Sequence, residues 1–174
     1  TRRSDRPGLL HFGLWLVLLA ASGYLAWLAL GTMWAIPAFF VYGTIFASSD
    51  ARWHECAHGT AFKSRWLNEG FHILATLMTF YEPTVKRWSH ARHHTHTNMT
   101  GIDPEIQVLR PARIWTVLVD VFWLRSFYFN FRLIVLHALG IMSEAALSYV
   151  PESQYPRMIA WSRVYLAVYI GVVM

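Results

Sequence analysis

Apolar residues form one long uninterrupted run near the start of the chain. Residues 9–30 read LLHFGLWLVLLAASGYLAWLAL. A helix of this length rises about 1.5 Å per residue and can cross the ~30 Å hydrocarbon core of a bilayer. The run is also longer than the roughly 7–15 apolar residues of a signal peptide. We therefore predict a first transmembrane helix over residues 9–30.

A second apolar run follows a short break at Gly31 and Thr32. It begins at Trp34, and Pro37 lies near its start, where a helix tolerates proline. We predict a second crossing over about residues 34–50, which returns as a hairpin with the first. Basic residues flank both ends of this hairpin, so the positive-inside rule places both flanks in the cytoplasm. These flanking residues are Arg2, Arg3, Arg6, Arg52, Lys63, Arg65, Lys86, Arg87 and Arg92.

The remaining apolar segments are shorter or interrupted. Residues 67–81 are too few for a crossing, so we expect them to lie at the membrane interface or to pack on other helices. Residues 114–142 contain charged side chains and predict interfacial helices. A third crossing is predicted from residue 158 onward, and the chain stops inside it. The pattern predicts a single all-α integral-membrane domain over residues 1–174, truncated at its C-terminal end.

The composition agrees with a membrane protein. Hydrophobic residues make up 55% of the chain and charged residues 14%, and the mean hydropathy is +0.32. These values argue against a soluble domain. The formal net charge of +5 is explained by membrane-flanking residues, so we expect no nucleic-acid partner. Cys56 is the single cysteine, which excludes a disulfide within the chain.

Five of the nine histidines form two clusters with helical spacing. His54 and His58 are four residues apart, and His90, His93 and His94 are spaced at i, i+3 and i+4. Each cluster therefore occupies one face of a helix. If residues 67–81 fold back, both clusters meet at the cytoplasmic surface and form a metal site. Imidazole binds iron, zinc, copper and nickel, so residue type alone does not select the metal.

The two clusters and the residues after them resemble a known family. HECAH at residues 54–58, HARHH at residues 90–94, the Thr97-Asn98 pair and Asp103-Pro104-Glu105 are similar to the first two histidine boxes of the membrane fatty acid desaturase and hydroxylase superfamily. The resemblance implies a bundle of about four transmembrane helices with the boxes on its cytoplasmic side. It also implies two iron ions, with O2 as co-substrate. The implied iron ligands are His54, His58, His90, His93 and His94.

The resemblance implies an oxidoreductase that acts on a membrane lipid or acyl chain, and fatty acid desaturation is the activity that fits best. The chain has no G-x-G-x-x-G fingerprint and a single cysteine, so electrons are expected from a separate carrier of the ferredoxin or cytochrome b5 type. The family also has a third box, HxxHH or QxxHH, after two further spans. Only His137 follows His96 here, so the remaining iron ligands are expected beyond residue 174.

Alternatives remain within this superfamily. A DP pair after the second box also occurs in carotenoid ketolases, which leaves a carotenoid ketolase or hydroxylase open. Alkane hydroxylases fit less well, because their second box resembles EHxxxHH, whereas Ser89 precedes the HxxHH pattern here.

Other classes of protein explain less of the pattern. HECAH also satisfies the HExxH motif of zinc proteases, in which Glu55 would act as general base, but that reading leaves HARHH unexplained. A metal transporter would place its ligands within the apolar spans. The acidic residues Glu55, Asp103 and Glu105 can accept hydrogen bonds from ligand imidazoles, but an ordinary helix cap or surface salt bridge explains each of them at least as well. The isolated His11, His72 and His137 are expected to be packed or interfacial.

Overall fold

The computed structural model describes residues 3–106, 113–121 and 123–174. Within these ranges every regular element is helical, which confirms the all-α prediction. The chain divides into two compact units, Thr1–Thr79 and Phe80–Met174, which are described in turn.

The first unit contains four helices. They are α1 (Arg6–Leu28), α2 (Ala35–Ala47), α3 (Ser49–Ala57) and α4 (Arg65–Met78). Pro7 lies in the first turn of α1, where its missing N–H has no helical acceptor to lose. Helix α1 packs along α2, and α3 packs on α4. The buried core consists of Phe12, Trp15, Cys56, Phe62 and Leu67.

The start of α1 lies directly against the loop between α3 and α4. A Cβ atom on Gly8 would lie 2.3 Å from the carbonyl oxygen of Ala61, so only glycine fits there. The Asp5 carboxylate accepts hydrogen bonds from the backbone N–H and the hydroxyl of Ser64, at 2.7 and 2.5 Å. Arg3 donates to the carbonyls of Gly59 and Phe62. These contacts fix the loop that follows the first histidine cluster.

In the described part of the second unit there are five α-helices and one 3₁₀ turn, Glu152–Gln154. The helices are α5 (Pro83–His96), α6 (Ile114–Val121), α7 (Leu124–Ala138), α8 (Glu144–Tyr149) and α9 (Tyr155–Val173). Both α5 and α7 pack on α9, and α8 packs on α5. Its buried core comprises Val85, Ala146, Val150 and Met158.

Short-range signals in the sequence set the ends of these helices. The side chains of Glu82 and Ser143 cap α5 and α8 by accepting backbone N–H bonds. Helix α7 ends in a Schellman motif, because the N–H groups of Gly140 and Ile141 donate to the carbonyls of His137 and Leu136. Gly140 has a φ of +80°, which glycine adopts without strain.

Among the described residues, α1 is the one helix whose length and apolar composition would let it cross a membrane. Only 22% of its most apolar stretch is buried within the chain. Helix α2 ends at Ala47, before the predicted limit of residue 50, because the chain turns at Ser48 into α3. Helix α9 begins at Tyr155, three residues before the predicted start. Crossings at α2 and α9 stay predictions.

The short apolar segment and the apolar segment interrupted by charged residues are also helical. Residues 65–78 form α4, which buries Leu67, His72 and Ala75, as the packing alternative for this segment predicted. Residues 114–121 form α6 and residues 124–138 form α7, and Trp123 directly before α7 has a φ of +56°. A membrane-interface location for α6 and α7 stays a prediction.

Candidate metal centre

The first histidine cluster lies at the C-terminal end of α3. His54 is in the last turn and His58 is the C-cap residue, and their Nε2 atoms are 3.2 Å apart. The helix ends there because Gly59, with a φ of +65°, and Thr60 donate to the carbonyls of Cys56 and Glu55 in a Schellman motif. The glycine after HECAH thus fixes the backbone at His58. Metal ions bond to imidazole nitrogen at about 2.0–2.1 Å, so both nitrogens can reach one ion.

The second cluster lies in the C-terminal half of α5. The Nε2 atoms of His90 and His94, one helical turn apart, face each other at 3.1 Å. His93 lies on the same helix, with its ring centroid 5.6 Å from that of His94. The helical spacing predicted for both clusters is confirmed within their own helices.

Two carboxylates orient the imidazoles of the second cluster. Nδ1 of His90 is 3.1 Å from Oε2 of Glu105, and Nδ1 of His93 is 2.9 Å from Oδ2 of Asp103. An ionised carboxylate can only accept a hydrogen bond, so Nδ1 is the protonated nitrogen in both rings. In the neutral imidazole this leaves the lone pair on Nε2, the atom available to a metal.

The loop after α5 carries these carboxylates back to the histidines. Asn98 has a φ of +64° and reverses the chain; asparagine tolerates this conformation better than most residues. The backbone N–H groups of Asn98 and Glu105 then donate to Asp103, at 2.8 and 2.9 Å. The Thr97-Asn98 pair and the Asp103-Pro104-Glu105 segment therefore have a structural role, since they bring two acceptors to the second cluster.

The surroundings keep both carboxylates ionised. Burial alone would raise the pKa of Asp103, but hydrogen bonds from Glu105, His93 and Asn98 outweigh it and hold that pKa below its usual value. Burial likewise opposes ionisation of Glu105, and the charge and hydrogen bond of Lys86 overcome it and lower the pKa. Each carboxylate is thus an acceptor at neutral pH.

Lys86 was not identified as a site residue from the sequence, which counted it among the membrane-flanking charges. The structure places its Nζ 2.8 Å from Oε1 of Glu105. The sequence did contain a signal for this role, because Lys86 and His90 are four residues apart and therefore share a helix face. A cavity of about 680 Å³ borders Lys86 and Glu105 on the side of α7 and α8 and leaves the ion pair partly open to solvent.

The other acidic and histidine residues have different surroundings. The Glu55 side chain makes no hydrogen bond within the described part of the chain, whereas Asp103 and Glu105 accept as expected. His72 is fully buried, with Nδ1 3.3 Å from the Trp53 carbonyl oxygen. His137 is also fully buried, and its Nε2 lies 2.9 Å from the Ser143 hydroxyl. Both are packed, as predicted, while His11 is exposed on α1.

Comparison with known protein families shows to which family the chain belongs. The fatty acid desaturase family matches residues 39–174, which include both histidine clusters. The chain belongs to the fatty acid desaturase family. This assignment confirms the resemblance seen in the histidine boxes and removes the support for the zinc-protease and transporter alternatives.

Two desaturases are similar to half of the chain. The sn-1 oleoyl-lipid 12-desaturase of Anabaena variabilis is 31% identical over 87 residues, which are 50% of this chain and 21% of that protein. The chloroplastic omega-6 fatty acid desaturase of Arabidopsis thaliana is 36% identical over 87 residues, again 50% of this chain and 17% of that protein. The aligned segment thus spans about a fifth of each relative. No solved structure matches the chain.

Proposed function

We propose that this chain is part of a membrane oxidoreductase that desaturates the acyl chain of a lipid, with two histidine-bound iron ions and O2. The observation that carries the proposal is the arrangement of the second cluster, where carboxylates hold the Nδ1 protons of His90 and His93. This leaves Nε2 of each ring as the donor atom. Family membership supports the same chemistry.

The donor set fits iron. Imidazole nitrogen is a common ligand of iron, and the paired Nε2 atoms of each cluster lie close enough to share an ion. We propose His54, His58, His90, His93 and His94 as ligands, and further ligands outside this chain segment.

Iron bound by these residues would supply oxygen activation and the removal of hydrogen from an unactivated C–H bond. The side chains of this segment would hold the metal and orient the imidazoles that bind it. Asp103 and Glu105 fix two imidazole planes, and the Schellman motif at Gly59 fixes the backbone of His58. Preorganisation of this kind lowers the cost of metal binding, because the ligands need not be ordered when the ion arrives.

The substrate and the partner follow from the same proposal. The apolar side chains exposed along α1, including Leu10, Val17 and Trp27, suit contact with lipid. We propose an acyl lipid as substrate and a ferredoxin or cytochrome b5 type protein as electron donor. Exposed basic residues such as Arg65 provide positive charge that would favour an acidic carrier.

The test is single replacement of each proposed ligand by alanine in the complete protein. Each of the variants His54→Ala, His58→Ala, His90→Ala, His93→Ala and His94→Ala should lose iron and at least 100-fold of product formation. Double variants should lose little more, because one missing ligand already disrupts the shared site. The measurements are iron per chain by mass spectrometry and lipid analysis of the products.

His11→Ala is the matched control, because His11 is exposed on α1 and distant in sequence from both boxes. It should keep wild-type iron and activity. Normal iron and product in a variant from either cluster would overturn the ligand assignment. If the variants lose iron but the wild type forms a hydroxylated or ketolated product, the ligand assignment stands. The reaction would then be hydroxylation or ketolation instead of desaturation.

A further inference from the structure

The two carboxylates of the second cluster are held in different ways. Asp103 accepts hydrogen bonds from two backbone N–H groups, and it forms no ion pair with lysine or arginine within the described part of the chain. Glu105 instead bridges a cation and a histidine: Oε1 lies 2.8 Å from the Lys86 ammonium, and Oε2 lies 3.1 Å from Nδ1 of His90. The surroundings of His90 and His93 therefore differ in charge.

The Lys86 side chain is held in place on several sides. Its side chain is 11% exposed and that of Glu105 is 17% exposed. The ammonium also lies 4.5 Å from the ring centroid of Tyr81, within the range of a cation–π contact. Lys86 and His90 lie one turn apart on α5, so the helix backbone sets the spacing that Glu105 spans.

A carboxylate that accepts the Nδ1 proton makes the imidazole a stronger donor at Nε2. A cation on the same carboxylate draws negative charge away from that hydrogen bond and weakens this effect. His90 has such a cation behind its carboxylate, whereas His93 has none among the residues that the structure describes. The two imidazoles of one helix would therefore donate to a metal with unequal strength.

We propose that Lys86 is a positioning residue of the metal centre, which acts through Glu105 to fix the ring plane of His90 and to weaken its donation to bound iron. The proposal rests on the iron-binding function proposed above. It assigns a role to a residue that is not itself among the proposed metal ligands. Its consequence is a higher reduction potential than His90 would give with Glu105 alone, since a weaker donor stabilises ferric iron less.

The experiment compares Lys86→Met, which keeps the length of the side chain without its charge, with Lys86→Arg, which keeps the charge. The complete protein is purified in detergent and loaded with iron, and its midpoint potential is measured by redox titration with an optical readout. Affinity for Co²⁺ alone is measured by competition with a chelator. Lys63→Met is the matched control, because Lys63 is the other lysine of the chain and is exposed.

Lys86→Met should shift the ferric-to-ferrous ratio about tenfold toward ferric iron, which corresponds to a fall of about 59 mV for one electron. Its Co²⁺ affinity should rise rather than fall, because the same loss of charge makes His90 the stronger donor at Nε2. Lys86→Arg should restore the potential to near the wild-type value. Lys63→Met should change neither quantity.

An unchanged midpoint potential in Lys86→Met would overturn the proposal. So would a fall in Lys86→Arg or in Lys63→Met as large as the fall in Lys86→Met. If Lys86→Met fails to fold, Lys86→Gln gives the same comparison with a polar side chain. Failure of the proposed function has a different signature: the wild-type protein itself would bind neither iron nor Co²⁺. Wild-type binding with an unshifted variant rejects the role of Lys86 alone.

Discussion

Histidines with the same chemistry have separate roles in this chain because their Nδ1 atoms meet different groups. His90 and His93 donate to carboxylates, which leaves Nε2 as a donor atom for a metal. His72 lies against a backbone carbonyl inside a fully buried environment, where a charged metal would be costly. The partner of a side chain thus decides whether it can act as a ligand.

Glu82 provides a residue-scale prediction about pH. Its side chain caps α5 through a 2.6 Å bond from the Val85 N–H, and the carboxyl group is almost fully buried. Burial raises the pKa of Glu82 from 4.5 to about 7, against the opposing hydrogen bonds of Val85 and Thr84 and the charge of Arg157. The ionised form is therefore the unfavourable one in the folded state.

The sign of the pH dependence follows from this raised pKa. The unfolded chain releases the proton near pH 4.5 and the folded chain near pH 7, so stability is fully present below about 4.5 and falls as pH rises to 7. The loss is about 3 kcal/mol at 1.36 kcal/mol per pKa unit. Thermal unfolding in detergent between pH 5 and 8 should show this loss in the wild type, and Glu82→Gln should remove it.

Glu82→Ala is the control for the capping role, because it removes both the cap and the titrating group. It should be destabilised by about 1 kcal/mol at pH 5 and show a flat profile above that. A wild type whose melting temperature does not fall between pH 5 and 8, or a Glu82→Gln variant that falls in parallel with it, would contradict a raised pKa at this position.

At the scale of elements, α1 contacts the loop between α3 and α4 and thereby holds the backbone next to the first histidine cluster. The helix approaches that loop so closely that Gly8 has no room for a Cβ atom, and Asp5 and Arg3 bind the same loop through Ser64, Gly59 and Phe62. The loop begins immediately after His58. The apolar helix near the N-terminus therefore has a second role, which is to hold the backbone at the end of α3.

Gly8→Ala tests this role of α1. The added methyl group would lie 2.3 Å from a backbone oxygen that cannot rotate away, so α1 or the loop must shift. We expect a loss of about 1–3 kcal/mol, in the range of overpacked interiors, and weaker metal binding by the first cluster. The measurements are the melting temperature in detergent and the Co²⁺ affinity.

Gly13→Ala is the matched control on the same helix, because nothing lies within 4 Å of a Cβ atom at Gly13. Alanine favours a helix over glycine by up to about 1 kcal/mol, so this variant should be neutral or more stable. Equal melting temperatures for the Gly8 and Gly13 variants would show that the approach of α1 to the loop is not as close as described.

At the scale of the whole molecule, the charge pattern predicts which side of a membrane each segment faces. Arginine-rich segments before α1 and after α2 lead us to propose that the N-terminus and both histidine clusters face the cytoplasm. Single cysteines at Ser4, Thr60 and Thr95, all exposed, should be labelled from the cytoplasmic side. A cysteine at Met33, between α1 and α2, should be labelled from outside.

Within residues 1–174 the background in this labelling is low, because Cys56 is the single cysteine of this segment and is buried. Labelling in intact cells and in inverted vesicles with an impermeant maleimide distinguishes the two sides. Reaction of the Thr60 or Thr95 variant from outside intact cells would reverse the proposed orientation. Reaction of Met33 and Ser4 variants from the same side would show that α1 does not cross.

The sequence by itself determined the features that depend on residues close together in the chain. The i, i+3 and i+4 spacing put each histidine cluster on one helix face, and both clusters do lie on helices, α3 and α5. The same local pattern identified the fatty acid desaturase family and the apolar length of α1. Helical periodicity needs no knowledge of the path of the chain, because neighbouring turns are always in contact.

Only the tertiary structure decided which distant groups meet. The sequence offered Glu55, Asp103 and Glu105 as equal acceptors, and the fold brought the last two to His93 and His90 while the Glu55 side chain stayed without a hydrogen bond in the described structure. The fold also pairs Lys86 with Glu105, which lies 19 positions later in the sequence, and ends α2 at Ala47. The contacts of Asp103 and Glu105 depend on how the loop after α5 turns at Asn98 and packs, which residue spacing alone does not encode.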